Sequence, residues 1–510
     1  MKNLIILEYI INFILMCFYH LHMFQLNSYF AKKQFRWFKH NVGTLLCQIS
    51  LIIFPTIIYY IKSPMNEILF CLLLLVSIVY NIPKKKSKIP LNITNRVKRL
   101  LITELILVLI LVNNVNQYLI IKLCILNIIS IFLSVIANVI NTPIEILNRK
   151  KYINQAKKKL QQMPDLIVIG ITGSYGKTSV KNYLYKMLST KYNVLVTPKN
   201  YNTTMGVVKT IREDLKPVHQ IFICEMGATK PNDIKEICDI VNPKIGVITS
   251  IGPQHLESFK SIDNIIKTKF ELADSVKSNG GVMFLNYDNE YIANKKIEMK
   301  YYTYGVENNN LDYNAFNLTS SQKGLTFTLK KLNSEDIEFK TKIIGKHNIV
   351  NLTVAIGISD YIGVLPNTLI PTVKNLKNVE HRLELINHGK LNIIDNSYNS
   401  NPISAKSAIE TLGTFEGTKI IVTPGLIELG KDEYKYNFEL GKFITKYCDY
   451  VFLVGSHSQS VLDGVKSENF KTDRIFTVNS PTEAMNQISK LNIDGHITVL
   501  LENDLPDNYK

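Results

Sequence analysis

Acidic residues are the scarce class in this chain: 42 Asp and Glu stand against 59 Lys and Arg in 510 residues, giving a formal net charge of +17 and a pI near 9.2. An excess of this size calls for an anionic partner. The basic residues gather beside apolar segments, which points to anionic lipid headgroups and argues against nucleic acid. Cysteine is sparse as well, with seven scattered residues, no CxxC pair and no metal-ligand spacing. Cys17, Cys47, Cys71 and Cys124 lie in apolar segments, and with Cys224, Cys238 and Cys448 they read as reduced core residues of a cytosolic compartment. Internal repeats and low-complexity tracts are absent. A signal-peptide cleavage site is missing too: the first apolar stretch is too long, contains Glu8, and leads to further apolar stretches rather than to small residues. The length leaves room for about three domains.

Hydrophobicity fills the first part. Apolar segments run from Leu4 to Leu26, Val42 to Ile61, Ile68 to Ile82, Leu100 to Val112 and Tyr118 to Ile140, and five crossings are expected. The third and fourth are short for a span of roughly 20 residues. Lys32, Lys33, Arg36 and Lys39 follow the first segment, "PKKKSK" and "RVKR" follow the third, and "NRKKYINQAKKK" follows the fifth. The loops after the second and fourth carry almost no basic residues. The positive-inside rule then puts the N-terminus outside and everything after Asn148 in the cytoplasm. The expectation is a multi-pass protein of the cell membrane with cytoplasmic catalytic domains. Glu8, Glu67, Glu104 and Lys122 sit mostly near segment ends, where long side chains snorkel.

After Asn148 the pattern becomes that of an α/β protein. "HQIFICEMGA", "KIGVITSIG" and "GGVMFLN" are apolar strands followed by polar or helical stretches, and Tyr301 to Lys342 alternates with period two, suggesting an antiparallel insertion. A second α/β unit begins near Val379 with "LNIIDNS", "TKIIVTPG", "DYVFLVGS" and "HITVLLEN". The stretch most charged with chemistry is "IVIGITGSYGKTSVKNYLYKML": a buried strand, a glycine-rich turn, then a helical pattern. Closely spaced glycines let backbone N–H groups turn inward around an anion, and the helix adds its positive end. Lys177 can reach outer phosphates, while Thr178 can ligate Mg²⁺. The general pattern wants a glycine where this chain has Ile171, so the match is to a variant of the loop.

Further pieces follow in order: "NYNTTMGV", "ICEMGA", "TSIGPQHLESFKSIDNIIKTKFELA", "GKHNIVNLTVAIGI", "EHRLELI", "DNSYNSNP" and "LIELG". With the loop, this set resembles the Mur ligase family, ATP-dependent enzymes that join amino acids to peptidoglycan precursors by amide bonds. The likeness covers Leu160 to Gly430. Together with the apolar segments it gives three parts: transmembrane helices over 1–150, a central α/β P-loop ATPase domain with a β insertion over 151–376, and a C-terminal α/β Rossmann-like domain over 377–510. Making an amide requires activating a carboxylate, and such ligases transfer the γ-phosphate of ATP to give an acyl phosphate that an amine attacks. Phosphoryl transfer asks for positioning and charge neutralisation.

The resemblance also implies roles. Gly173, Gly176, Lys177, Thr178 and Ser179 would hold the nucleotide, with Lys177 on the β- and γ-phosphates. Thr178 and Glu225 would hold one Mg²⁺ and His255 a second. Lys269 would be carbamylated, turning a cation that repels metal into an anion that holds it. Asn348 and Asn351 match the adenine contact, and Arg382 matches an arginine that reaches the phosphates as a bidentate fork. Two departures stand out: Asn396 replaces the family's aspartate, with Asp395 a substitute for its contact, and "LLENDLPDN" replaces a C-terminal Lys-Gly-Ser near the incoming amine. The family's UDP-sugar-binding domain is replaced by membrane segments. The expected partners are a muramoyl-peptide or lipid-linked precursor, an amino acid or dipeptide, and membrane lipids. A poly-γ-glutamate-type synthetase and an ATP-switched membrane protein without catalysis are the competing readings; the latter has no need of His255, Lys269 and Arg382.

Overall fold

The computed structural model describes residues 2–61, 64–82, 89–112, 119–198, 201–254, 256–308, 310–332, 334–398, 400–427 and 429–504. Its contacts divide these residues into two compact units, one ending at Lys150 and one running from Lys151 to Asp504.

The first unit is helical. It comprises α1 (Lys2–Leu26), α2 (Ala31–His40), α3 (Val42–Tyr60), α4 (Pro64–Asn81), α5 (Asn95–Val112) and the start of α6 (Leu119–Gln161). Three helices among the described residues are long and apolar enough to cross a membrane: Asn3–Leu26, Val42–Tyr60 and Leu119–Gln161. That is fewer than the five expected. The described apolar part of α4, Ile68–Asn81, is short, and Arg96, Lys98, Arg99 and Glu104 load α5 with charge. The basic run after the first segment is a helix rather than a loop. Along α2, Gln34, Trp37 and Phe38 are buried while Lys32, Lys33, Arg36 and Lys39 stay exposed. Cys47 is exposed on α3, unlike the other six cysteines, which are buried; all seven are free thiols. A chain of buried amides ties α1, α3, α4 and α6 together. Asn12 donates to Asn127 at 3.2 Å, Asn81 donates to Asn12 at 2.8 Å, and Gln48 donates to Asn81 at 2.8 Å. Such bonds satisfy polar groups that the surrounding apolar cluster would otherwise leave unpaired.

The second unit holds two sheets. The first is built from β1 (Ile167–Thr172), α7 (Lys177–Leu188), β2 (Val194–Val196), α8 (Thr204–Glu213), β3 (Ile221–Glu225), α9 (Asp233–Val241), β4 (Ile245–Ile248), α10 (Leu256–Phe259), α11 (Ile262–Ser278), β5 (Val282–Asn286), α12 (Glu290–Ala293), β6 (Tyr301–Val306), β7 (Tyr313–Ser321), β8 (Gly324–Lys331) and β9 (Ile337–Thr341). Its order is β2-β3-β1-β4-β5-β6-β7-β8-β9. Strands β3, β4 and β5 are buried throughout, as parallel strands covered on both faces must be. Helices start where the sequence offers a cap: Thr203 accepts from Gly206 N before α8, and Ser261 from Asn264 N before α11. The alternating stretch from Tyr301 is not a separate antiparallel insertion. Strand β6 pairs parallel with β5 and β7 parallel with β6, so only β7, β8 and β9 run antiparallel, extending the same sheet.

Helices α13 (Asn348–Tyr361) and α14 (Ile370–Asn375) follow, then β10 (Glu384–His388), β11 (Leu391–Asn396), α15 (Pro402–Gly413), β12 (Thr418–Thr423), α16 (Glu433–Ile444), β13 (Tyr450–Val454), α17 (Gln459–Ser467), β14 (Ile475–Val478), α18 (Pro481–Ile488) and β15 (Ile497–Glu502). The second sheet has the order β10-β11-β15-β12-β13-β14, parallel apart from β10. In the first sheet the chain winds outward to one side after β1 and to the other after β4, and ligands of open α/β sheets bind at the carboxyl ends of the strands at such a point.

Candidate active site

The glycine-rich turn leaves β1 between β3 and β4. Gly173 and Gly176 have φ of 150° and 80°. A Cβ at Gly173 would lie 2.1 Å from Thr249 Oγ1, and one at Gly176 2.6 Å from Asn351 Oδ1, so sterics as well as backbone angle demand glycine at both. The turn is stitched to the segment after β4. Ser174 N donates to Ser250 O at 2.7 Å, Tyr175 N to Ser250 Oγ at 3.0 Å, and Thr249 Oγ1 donates to Tyr175 O.

Lys177 opens α7 and folds its ammonium over the turn, donating to Gly173 O at 2.6 Å and Ser174 O at 3.1 Å. Burial pushes its pKa down to about 8, opposed by Glu225 and reinforced by Arg382. Thr178 donates from Oγ1 to Glu225 Oε1 at 3.1 Å, and Asn202 donates to the same oxygen at 3.0 Å. The other carboxylate oxygen pairs with Lys181 Nζ at 2.9 Å, both side chains being almost completely buried. Lys181 also donates to Thr197 O at 2.9 Å. Burial alone would raise Glu225, but Lys181 and Lys177, with the bonds from Lys181 and Asn202, bring it below the usual carboxylate range. Ser179 is buried in the first turn of α7.

Lys181 and Asn202 are site residues that the sequence reading passed over. The signal for Lys181 was its place one turn beyond Lys177, which puts both ammonium groups on one helix face. Asn202 lay inside a quoted motif, "NYNTTMGV", without a role assigned to it. The oxygens present suit a small hard cation: Thr178 Oγ1 and Glu225 Oε1 are 3.1 Å apart, and neighbouring ligands of an octahedral Mg²⁺ at about 2.1 Å lie about 3 Å apart.

Lys269 projects from α11 and is 3 % exposed. Burial holds its pKa well below the usual lysine range, and Lys177 lowers it further against weaker pulls from Glu271 and Asp233. Lys269 and Lys177 therefore belong to one electrostatic neighbourhood. Among the described residues its amine makes no hydrogen bond or ion pair. His255 lies outside the described residues.

Arg382 comes from the second sheet's side of the unit. It stands between His381 at φ 58° and Leu383 at φ 50°, with its guanidinium over the Tyr398 ring at 5.0 Å. Burial lowers its pKa, opposed by Glu225, so its charge reaches the same carboxylate that Lys181 holds. Asn351 lies under Gly176 and donates to Asn348 Oδ1 at 3.3 Å. Asn348 is buried, bonded to Tyr183 OH at 3.2 Å and to Ile344 O at 2.9 Å. Asp395 accepts from Ser397 N at 3.0 Å and meets His381 Nδ1 at 2.7 Å, which raises the histidine's pKa.

A glycine-rich turn between strand and helix, the ammonium groups of Lys177 and Lys181, an oxygen pair spaced for magnesium and an arginine from the second sheet's side are the parts that ATP-dependent phosphoryl transfer asks for. The Mur ligase middle domain matches residues 171–359 and the Mur ligase glutamate ligase domain matches 381–501. The UDP-N-acetylmuramoyl-tripeptide–D-alanyl-D-alanine ligase of Bacillus subtilis is 32 % identical over 324 residues, 63 % of this chain and 69 % of that protein. The ligase of the same name from Escherichia coli is 29 % identical over 312 residues, 60 % of this chain and 68 % of that one. The chain thus spans about two thirds of these relatives' length. A crystal structure of MurF from Acinetobacter baumannii superposes with a TM-score of 0.63 at 24 % identity, covering 70 % of this chain and 77 % of that one, a likeness of fold. The chain belongs to the Mur ligase family, and is an ATP-dependent, ADP-forming amide ligase that uses Mg²⁺.

Were a charged Lys177 to meet the phosphates, nucleotide affinity would fall as pH rises through the lysine's pKa, pushed down to about 8. Between about pH 7 and about pH 9 we expect titration calorimetry with ATP analogue and Mg²⁺ to record a loss of roughly tenfold. Lys177→Ala removes this step and abolishes turnover while leaving the protein folded. An equal pH slope in the variant, or turnover within a few fold of wild type, contradicts the assignment.

Proposed function

We propose that this chain is a membrane-anchored ligase that activates the carboxylate of a muramoyl-peptide precursor as an acyl phosphate and joins it to the amine of an amino acid or dipeptide. The observation that carries this reading is the convergence of Lys177, Thr178, Glu225 and Arg382 from two sheets on one point. The relatives' tripeptide and D-alanyl-D-alanine are the first substrates to try. In this reading Lys177 and Arg382 draw off charge from the β- and γ-phosphates while the carboxylate approaches in line. Magnesium neutralises the phosphate oxygens when bound. Thr178 and Glu225 hold one ion, with Lys181 pinning the far oxygen of Glu225 so that only Oε1 is offered. His255 and Lys269 hold the second.

A neutral lysine amine is the form that reacts with carbon dioxide, and burial shifts Lys269 toward that form. We expect a carbamate there, visible as a distinct carbonyl resonance after incubation with ¹³C-bicarbonate and lost in Lys269→Ala. That variant is nearly inactive and partly rescued by a short carboxylate in the buffer. Full activity of the variant, or no labelled signal in active wild-type protein, contradicts this.

The membrane reading is supported by the three long apolar helices and by α2, whose exposed lysines and arginine flank a buried aromatic face as in helices that lie at a headgroup boundary. "PKKKSK" lies outside the described residues. Confinement to one surface raises the effective concentration of a lipid-linked substrate and offsets the binding energy that a UDP-sugar domain supplies. Comparing full-length protein in lipid with a fragment beginning at Lys151 tests this. Truncation is expected to cost activity mainly on a lipid-linked muramoyl peptide; equal losses on lipid-linked and soluble substrates, or none, contradict it.

A further inference from the structure

One fully buried carboxylate has no part in the chemistry above. Glu502 ends β15, and the strand register sets Asn396 of β11 directly beside it. Ser400 Oγ donates to Glu502 Oε1, and Asn396 Nδ2 donates to Glu502 Oε2 at 2.9 Å. The other end of Asn396 accepts the backbone N–H of Leu383 at 3.2 Å. Leu383 is buried in the left-handed region, and so is the backbone of His381, with Arg382 between them. Bulky residues hold that conformation only where their surroundings over-determine it.

The chain from Glu502 through Asn396 to Leu383 is therefore part of what holds Arg382 in place, and it has a polarity. Asn396 accepts at one end and donates at the other. An aspartate of the same shape has no N–H to offer Glu502, whose burial already pushes its pKa up to about 7, so the two carboxyl groups could sit together there only by taking up a proton that the amide does not need. This accounts for both departures from the family pattern at once: the asparagine in place of aspartate is fitted to the glutamate that stands where Lys-Gly-Ser was expected. We propose that Asn396 and Glu502 are a matched pair of positioning residues that set Arg382 against the phosphates. The proposal rests on the phosphate role read for Arg382.

The test exchanges the amide and the carboxylate. ADP release by the full chain in detergent is measured for Asn396→Asp, Glu502→Gln and the double variant, with the Tm of each. Asn396→Asp should lower kcat about 30-fold, because it replaces the amide's fixed donor with a second buried carboxyl group that must repel Glu502 or share a proton with it at the arginine's support. In the double variant the amide introduced on β15 donates to the carboxylate introduced on β11, whose second oxygen still accepts from the backbone N–H of Leu383, and kcat should return to within about fivefold of wild type. Asn396→Asp within about threefold of wild type, or a folded double variant no better than the single, overturns the pairing. Should Asn396→Asp fail to fold, the double variant alone decides: near wild-type kcat supports the pair, and a folded but inactive protein overturns it. Arg382→Lys is run alongside; turnover within a few fold of wild type in that variant rejects the phosphate role itself, whatever the exchange does.

Discussion

The ion pair between Lys181 and Glu225 is the constraint around which the catalytic unit is arranged. Both side chains are out of water, and neither charge is tolerable there alone; removing one partner of such a pair costs about 3–5 kcal/mol. The pair needs three elements at once. Strand β3 brings the carboxylate, α7 brings the ammonium, and Thr197 just past β2 supplies the carbonyl that satisfies Lys181. Once Glu225 is fixed, Thr178 and Asn202 have a defined oxygen to meet, and Lys177 one turn earlier stands over the glycine-rich turn. The result is a carboxylate held in its ionised form in a buried place, the form in which it could ligate a magnesium ion.

The second sheet contributes a strained segment held by hydrogen bonds and by the contact of His381 with Asp395. Arg382 is displayed between two residues with left-handed backbones, and the bonds that hold them run to Asn396, Glu384 and Asp395. An arginine carried on a relaxed loop would have many positions. Here its backbone is tied at Val379 and its guanidinium rests on Tyr398.

Much of this was legible in the sequence because periodicity and glycine spacing report backbone geometry directly. The strand at Ile167, the turn at Gly173 to Gly176 and the helix after it follow from residue type alone, and the order of motifs identified the family. What was not legible came from contacts distant in sequence. Nothing local in the sequence names a partner for Lys181, and only the fold brings it to Glu225. Glu502 looked like the loss of a familiar motif; its pairing with Asn396 depends on β15 inserting between β11 and β12, which no local pattern announces. The alternating segment from Tyr301 was misread as an insertion because period two does not distinguish a strand that pairs in parallel from one that pairs antiparallel. Helix α2 was hidden because its apolar residues are few and its charges many.

The central claim is that this site makes an acyl phosphate. The direct measurement is to supply the donor peptide with a heavy oxygen isotope in its reacting carboxylate, together with ATP, Mg²⁺ and the acceptor amine, and to weigh the inorganic phosphate released. The account predicts that each phosphate carries one labelled oxygen from the carboxylate. Phosphate released in step with amide formation but free of the label would contradict it.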